Sequence, residues 1–260
     1  MVRRLERRDS GLVEAFLRRR LPHSFPILGA IERERERGSP GELWGCFARN
    51  ELTAVLARLS GGAHVCGPDE TDAEELEGVG LQELDELDGR LETVESLAAR
   101  VSRGLMHRQY LAFLQDATFV PRTDRSMAVS RALPADAAAI AALWCRRLEP
   151  AERARTERIL RSRLEGETDR ICVGSVGGVP VTTASTGQES RSLALIRCTY
   201  TDPDLRGLGL ATACLSALCR SLLAEGKTVV VLTETLADAR IYRSIGFVPA
   251  GLWVEWRRKD

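Results

Sequence analysis

The segment from Tyr200 to Ala211, with the sequence YTDPDLRGLGLA, contains the residue types that can bind a phosphate group. It follows an apolar run and leads into a helical pattern with leucines at positions 215, 218 and 222. Glycine lets the main chain approach a ligand closely, and the first turn of a helix leaves N–H groups without intrahelical acceptors. A strand, a turn with Gly207 and Gly209 and a helix start therefore predict a main-chain cradle for phosphate. The alternative is a tight turn in which the glycines serve geometry alone.

Two common phosphate motifs do not fit this segment. The Walker motif places a lysine directly after its last glycine, and no lysine directly follows Gly209. The dinucleotide motif requires a third glycine where Thr212 stands, and Glu234 lies farther on than its acidic residue should. The cradle is therefore predicted to hold a different phosphate-bearing ligand.

A second informative segment follows the helix. Thr228–Thr233 is a β-branched run that predicts a buried strand, and Glu234 ends it. Residues 238–247, DARIYRSIGF, predict a short helix that ends at Gly246.

Together these segments resemble the GNAT superfamily of acyl-CoA-dependent N-acyltransferases. The family's pyrophosphate motif, Arg/Gln-x-x-Gly-x-Gly/Ala, matches Arg206 to Ala211 at every defined position. Tyr242 and the pair Gly246-Phe247 match the later family signature, whereas Thr235 stands where the family has an asparagine. A threonine hydroxyl can replace the amide of that asparagine as a hydrogen-bonding group for the pantetheine arm. The resemblance runs from near Met127 to the end of the chain.

The resemblance implies acetyl-CoA as co-substrate, with a site built from particular residues. Backbone groups of Thr199, Tyr200 and Thr201 would hold the thioester and pantetheine, as would Thr235 and Tyr242. The pyrophosphate would lie on the cradle residues, which are Arg206, Gly207, Leu208, Gly209, Leu210, Ala211 and Thr212.

Acyl transfer to an amine also needs an acid and a base. Tyr242 is the candidate acid, because a phenol with a pKa of about 10 can protonate a thiolate with a pKa of about 8 to 9. The alternative for Tyr242 is a core aromatic residue. Glu234 is the candidate base, since open α/β sheets hold ligands at the carboxyl ends of their strands; it is equally well interpreted as a solvated strand-end glutamate. Glu189 and Glu255 are weaker candidates, and a chain of water molecules without a dedicated base is a further alternative.

Charge and cysteine usage limit the class of protein. Lysine plus arginine and aspartate plus glutamate number 37 each, which favours neither a nucleic-acid partner nor an anionic membrane surface. The seven cysteines contain no Cys-x-x-Cys pair and do not cluster with the three histidines, so no metal site is predicted. They indicate reduced thiols in a cytoplasmic protein, and no apolar run is long enough for a membrane span. Cys198 lies on the predicted donor strand, where core packing is favoured over a covalent acyl-cysteine.

The chain of 260 residues suits one large domain or two modest ones. A polar stretch with a proline near residues 120–125 predicts two domains, 1–122 and 126–260. The first half predicts helices from Asp9 or Ser10 to Arg20 and over 27–37, strands over 43–48, 52–59 and 63–66, an acidic helical stretch over 71–87, a helical segment over 91–101 and an amphipathic piece over 110–114. The second half predicts strands over 127–133, 171–175, 179–185, 193–200, 228–233 and 252–257, with helices over 134–147 and 150–164 and after the cradle.

These elements predict an α/β (α+β) fold with a mixed, mostly antiparallel sheet flanked by helices. The first half resembles a degenerate GNAT domain without the phosphate motif, which would wall the acceptor cleft or form a homodimer contact. The predicted activity is acetyl transfer from acetyl-CoA to a primary amine, on a small molecule or a peptide, by direct attack in a ternary complex. Two alternatives stay open: a non-catalytic CoA-binding sensor or scaffold, and a tandem-domain aminoacyl transferase, which would need a basic surface for RNA.

Overall fold

The computed structural model describes residues 1–37, 41–59, 62–67, 76, 83–101, 103–146, 148–166 and 170–259. The chain divides into two compact units. The first consists of Met1–Ala112, Thr233–Thr235 and Pro249–Asp260, and the second of Phe113–Leu232 and Leu236–Val248. Among the described helices, none combines the length and apolar composition that a membrane crossing requires.

In its described residues, the first unit is a mixed sheet with three α-helices. Its elements are β1 (Val2–Arg4), α1 (Ser10–Arg18), α2 (Phe25–Arg37), β2 (Glu42–Ala48), β3 (Glu51–Leu59), β4 (Gly62–Cys66), β5 (Glu86–Arg90), α3 (Leu91–Val101), β6 (Gly104–Leu114) and the last strand of the chain, β12 (Val248–Arg258). The strand order is β1-β2-β3-β4-β5-β12-β6. The pairing of β4 with β5 is parallel, and β5 pairs antiparallel with β12. Leu56, Leu97 and Trp256 lie in a core on one face of this sheet.

The second unit repeats this plan. Its elements are β7 (Ala128–Arg131), α4 (Ala137–Trp144), α5 (Pro150–Glu165), β8 (Ile171–Val176), β9 (Val179–Glu189), β10 (Leu193–Thr201), α6 (Leu210–Ala224), β11 (Thr228–Thr233) and α7 (Ala239–Ser244). The strand order is β11-β10-β9-β8-β7, and β10 and β11 are parallel while the other pairs are antiparallel. Helix α6 packs on β8, β9 and β10, with Leu215, Leu218 and Leu222 fully buried as the leucine spacing predicts.

Both halves of the chain therefore follow one order of elements. Among the described residues, each runs through a strand, two helices, three antiparallel strands, a strand parallel to the last of these, a helix and a final strand, and the second half has the additional helix α6 before its parallel strand. This confirms the predicted α/β class, with mixed and mostly antiparallel strand pairing and flanking helices. It also confirms that the first half is related to the second.

Most predicted elements are confirmed, and two in the first half are wrong. The strands over 43–48, 52–59 and 63–66 form as predicted, and the turn between the first two has positive φ at Arg49 and Asn50, as a tight hairpin turn requires. The predicted acidic helix over 71–87 lies mostly outside the described residues, but its end is strand β5. The piece over 110–114 is the end of strand β6. Strand β5 has only five residues. An alternation of apolar and polar residues over so short a segment does not distinguish a strand from the end of a helix.

The compact units differ from the predicted division into 1–122 and 126–260. The first unit ends at Ala112, and it includes the C-terminal strand β12, which pairs with β5 through Trp253 opposite Arg90 and Val254 opposite Gly89. Both faces of β12 are covered within this unit, because Trp253 lies 5.0 Å from Phe25 by ring centroids and Trp256 lies in the core. Division of the chain into independently folding domains stays a prediction.

Candidate functional site

The parallel strands β10 and β11 separate before β10 ends. They pair through four positions, and the last pair is Ile196 with Val231, although β10 continues to Thr201. At the same place, the register of β10 against β9 shifts on both sides of Ile196. A β-bulge bends the strand that contains it and redirects its side chains. The bulge therefore accompanies an opening between the carboxyl ends of β10 and β11.

Strand β9 holds the predicted donor strand on its other side. Tyr200 lies opposite Thr183 and Thr201 opposite Thr182. The Thr182 hydroxyl donates to the Tyr200 carbonyl at 2.8 Å and lies 2.7 Å from the Thr201 hydroxyl. The end of β10 is thus fixed by β9 where β11 no longer accompanies it.

The glycine turn after β10 has the geometry of an anion cradle. Gly207 and Gly209 have φ values of 81° and 83°, and a Cβ atom added to either would meet nothing within 4 Å. The first bond of α6 joins the Ala213 N–H to the Gly209 carbonyl at 3.1 Å. In the described part of the chain, no acceptor is bound by the N–H groups of residues 207–212. Positive φ, open space and available N–H donors fit a pyrophosphate group.

An ion-pair network shapes the loop that leads into this cradle. Arg146, just after α4, contacts the carboxylates of Asp202 at 2.5 Å and Asp204 at 2.9 Å. The Asp202 carboxylate also accepts the Asp204 N–H at 3.1 Å. Arg206 folds back so that its Nε donates to the Thr201 carbonyl at 3.4 Å. These contacts tie the cradle to the end of β10.

Tyr242, the candidate acid, is a buried phenol on α7 with 9% of its surface exposed. Burial raises its pKa above the ordinary phenol value, and the Cys198 and Cys219 thiols add to the rise. The Thr199 hydroxyl opposes the shift in the pKa of Tyr242; this hydroxyl is itself buried and makes no hydrogen bond of normal geometry with a described residue. Tyr242 is therefore a neutral phenol across the physiological pH range, and it borders the donor strand.

A Schellman motif at the end of α7 fixes Tyr242. The Phe247 N–H donates to the Tyr242 carbonyl at 3.1 Å, and the Gly246 N–H donates to the Arg243 carbonyl at 3.1 Å. Gly246 has a φ of 101°, and the rings of Tyr242 and Phe247 meet edge to face at 5.3 Å. The spacing Tyr-x-x-x-Gly-Phe is therefore the spacing of this motif. Its aromatic contact holds the phenol at the last turn of the helix.

Glu234 and Thr235, the two remaining predicted site residues, are grouped with the first unit. Thr235 is exposed. One oxygen of Glu234, Oε1, lies 3.0 Å from His107 Nε2 and accepts a hydrogen bond from Gln109 Nε2 at 2.9 Å. The sequence does not predict the contacts of His107 and Gln109, which lie 127 and 125 residues before Glu234. The available signal was the run of three polar residues, His107, Arg108 and Gln109, between apolar residues of β6.

The two weaker base candidates lie in other surroundings. Glu189 contacts Arg170 at 2.9 Å and Lys227 at 2.8 Å, so two cations share its carboxylate. Glu255 lies on β12 directly opposite Asp88 of β5. Neither arrangement resembles a carboxylate that is held ready to take a proton from a substrate.

The seven cysteines are all free thiols, and six are buried. Burial raises the pKa of Cys172 to about 11 and that of Cys66 and Cys214 to about 12. Burial also raises the pKa of Cys198, the thiol on the donor strand. A thiol is nucleophilic as the thiolate, so these surroundings disfavour an acyl-cysteine. Among the described residues, His, Cys, Asp and Glu side chains form no group of three that is placed to hold a metal ion.

Comparisons with known proteins point to one family. Residues 137–247 match the model of the acetyltransferase (GNAT) family. No curated protein matches the sequence. Three solved structures share the fold along nearly the whole chain. Their sequence identities are low, so the similarity shows the fold and not a shared function. A tandem GNAT protein from the clavulanic acid biosynthesis pathway has a TM-score of 0.52 and 16% identity over 99% of this chain and 98% of that chain. An acetyltransferase of the GNAT family from Colwellia psychrerythraea has a TM-score of 0.59 and 12% identity over 100% of both chains. A Drosophila protein has a TM-score of 0.61 and 12% identity over 99% of this chain and 98% of that chain.

Proposed function

The second half of the chain contains a GNAT acetyltransferase domain and the first half is related to it; from this premise we propose that the protein transfers an acetyl group from acetyl-CoA to a primary amine. The transfer occurs by direct attack of the amine in a ternary complex. The single observation that carries the proposal is the row of N–H groups from Gly207 to Thr212 without acceptors among the described residues, at the end of a strand that has left its neighbour.

The residues of the second unit supply three functions in this reaction. The N–H groups of residues 207–212 bind the pyrophosphate, with Arg206 beside them. The main chain of Thr199–Thr201, at the opening between β10 and β11, orients the thioester and stabilises the oxyanion that forms on its carbonyl carbon. Tyr242 donates its phenolic proton to the departing thiolate of CoA, and burial keeps that proton in place until the thiolate forms.

Gly209→Asp tests the cradle, and Gly178→Asp is its matched control. Both glycines have φ near the same value, 83° and 80°, and both face open space, so the substitutions impose the same strain and charge. A carboxylate at position 209 repels a diphosphate and displaces its N–H contacts, each of which contributes about 1.5–3 kcal/mol when charge-assisted. We therefore expect Gly209→Asp to weaken acetyl-CoA binding by about 100-fold or more in calorimetry, since 1.4 kcal/mol corresponds to tenfold.

Gly178→Asp should leave that affinity unchanged. If the wild type did not bind acetyl-CoA, or if the three proteins bound it with equal affinity, the proposed binding of acetyl-CoA at the cradle would be wrong. Binding without CoA release on any amine would favour a CoA-binding sensor instead.

Cys198→Ala separates direct transfer from transfer through an acyl-cysteine. Because burial raises the pKa of this thiol, we expect the variant to keep acetyl transfer within about threefold, the range of a small packing change. Mass spectrometry of the wild type after mixing with acetyl-CoA alone should find no acetyl group on Cys198. An acetylated Cys198 that disappears when amine is added would contradict the ternary-complex mechanism.

The acceptor is proposed as an amine on a small molecule or a peptide. Thiol release from acetyl-CoA in the presence of benzylamine, spermidine and a lysine-containing peptide would identify the class. A cytoplasmic location and a homodimer through the first half remain predictions.

A further inference from the structure

Two carboxylates lie directly before the anion cradle, in the turn that joins β10 to α6. Asp204 is three residues before Gly207, so their Cα atoms are at most about 11 Å apart, and Asp202 precedes Asp204 by two residues. This distance is comparable with the Debye length of about 10 Å in 0.1 M salt. Negative charge at these positions therefore opposes the binding of a diphosphate by the N–H groups of residues 207–212.

The carboxylate of Asp202 has a structural role in this turn. It accepts the Asp204 N–H at 3.1 Å, while the Asp202 carbonyl accepts the Leu205 N–H at 2.9 Å. The Asp202 N–H in turn donates to the Val181 carbonyl of β9 at 2.9 Å. An aspartate side chain that bonds the backbone two residues further on is a usual way of forming a turn. The turn that leads into the cradle thus contains an acidic side chain, whose charge needs compensation.

Arg146 supplies a positive charge at this turn. Its Nη1 atom lies 2.5 Å from Asp202 Oδ1 and 2.9 Å from Asp204 Oδ2. In the described part of the chain, no other cation contacts either carboxylate. The Coulombic attraction of Asp202 and the hydrogen bond to Asp204 raise the pKa of Arg146 above its ordinary value. The guanidinium is therefore charged at physiological pH.

Contacts of α4 with β9 set the position of Arg146. Trp144, the last residue of α4, donates its indole N–H to the Thr183 hydroxyl at 2.9 Å. Thr183 lies on β9 opposite Tyr200, which is two residues before Asp202. All of these residues belong to the second unit. The end of α4 thus holds Arg146 beside the turn from a part of the sequence more than fifty residues away.

An ion pair of this kind adds little to the stability of a fold. Half of the Arg146 side chain and about two thirds of the Asp204 side chain are exposed, so water and salt screen their charges. The same pair changes the charge that an incoming anion meets. Two carboxylates and one guanidinium have a net charge of −1, and without the guanidinium the net charge is −2. The larger effect of Arg146 is therefore expected on ligand binding rather than on folding.

We infer that Arg146 is a positioning residue for acetyl-CoA, which neutralises Asp202 and Asp204 so that the neighbouring cradle can accept a diphosphate. The inference rests on the proposed function, because acetyl-CoA is the diphosphate that the cradle is proposed to bind. Arg146 acts through the two carboxylates on the electrostatic potential at the cradle and does not need to touch the ligand.

Calorimetry with acetyl-CoA at two salt concentrations tests this role. In 0.01 M salt, Arg146→Ala should bind acetyl-CoA about 10-fold more weakly than the wild type, because a Debye length of about 30 Å leaves the repulsion nearly unscreened. In 1 M salt the Debye length is about 3 Å, and the two affinities should agree within about twofold. The thermal unfolding midpoint of Arg146→Ala should stay close to that of the wild type.

Arg161→Ala is the matched control. Arg161 lies on α5 of the same unit with 42% of its side chain exposed, and it pairs with Glu157 at 2.9 Å. It also donates to the Pro134 carbonyl at 3.2 Å. Its loss removes one exposed cation without a contact to the turn at Asp202. The affinity for acetyl-CoA should therefore stay within about twofold of the wild type at both salt concentrations.

A further variant separates charge from geometry. Asp202→Asn and Asp204→Asn, added to Arg146→Ala, remove both negative charges, and an amide oxygen at position 202 can still accept the N–H of residue 204. This triple variant should regain the wild-type affinity within about threefold in 0.01 M salt. If Arg146→Ala instead lost affinity equally in 1 M salt, and the two asparagine substitutions did not restore it, Arg146 would have a purely structural role and the inference would be overturned.

Failure of the inference is distinguishable from failure of the proposed function. If the wild type and Arg146→Ala bind acetyl-CoA equally in 0.01 M salt, the inference is wrong while the proposed function stands. If the folded wild type does not bind acetyl-CoA at either salt concentration, the proposed function is wrong, and the role of Arg146 is wrong with it.

Discussion

Tyr242→Phe is expected to lower kcat by about 10²- to 10⁴-fold, because it removes the proton that the departing thiolate takes. The substitution deletes one oxygen and keeps the ring, so the edge-to-face contact with Phe247 at 5.3 Å and the helix end stay intact. Affinity for acetyl-CoA, measured by calorimetry, should therefore stay within about threefold of the wild type, since remote binding contacts are unchanged. Steady-state thiol release gives the loss in kcat.

Tyr110→Phe is the matched control. Tyr110 is a half-exposed phenol on β6, and its loss should leave kcat unchanged. The pH profile gives a second check. Burial raises the pKa of Tyr242, so its phenol stays protonated above the ordinary phenol range, and the wild-type rate should not decline below about pH 10 through loss of this acid. If Tyr242→Phe had the same kcat as the wild type, Tyr242 would be a core aromatic residue without a role as the acid.

Gly246→Ala is expected to destabilise the protein by about 2–6 kcal/mol, the sum of a strained φ and a steric overlap. The φ of 101° at Gly246 is one that residues with a side chain rarely adopt. An added Cβ would also overlap the Thr118 carbonyl oxygen, and it would lie 3.2 Å from the Val120 nitrogen. That segment is held to the helix end by a bond from the Val120 N–H to the Ile245 carbonyl, so neither side can move without breaking contacts.

Gly178→Ala isolates the conformational part of this cost. Gly178 has a φ of 80° but open space around it, so the expected loss is about 1–2 kcal/mol. Urea unfolding midpoints of the two variants give the comparison. Because the Schellman motif fixes Tyr242, Gly246→Ala should also lower kcat at temperatures where the variant is folded. Equal midpoints for the two variants would mean that the contact with Thr118 is not tight.

Local sequence was sufficient to predict the glycine turn between β10 and α6 and the helix end at Gly246. Arg206, Gly207 and Gly209 lie in one turn between a strand and a helix, and their chemistry depends on backbone conformations that neighbouring residues impose. The Tyr-x-x-x-Gly-Phe spacing likewise describes hydrogen bonds within six residues. Periodicity over long segments gave α6 and most strands of the second half, because a helix with a buried stripe needs leucines at fixed intervals.

Tertiary structure alone decided the surroundings of Glu234. Its partners on β6 lie more than a hundred residues earlier in the chain, and nothing in either segment indicates the other. The unit that contains β12 could not be predicted from the sequence either. The alternation of its residues indicates a paired strand but does not indicate which strand it pairs with. Hydrogen bonds between distant segments depend on register and chain crossing, and these are set by the packing of the whole unit rather than by residues adjacent in sequence.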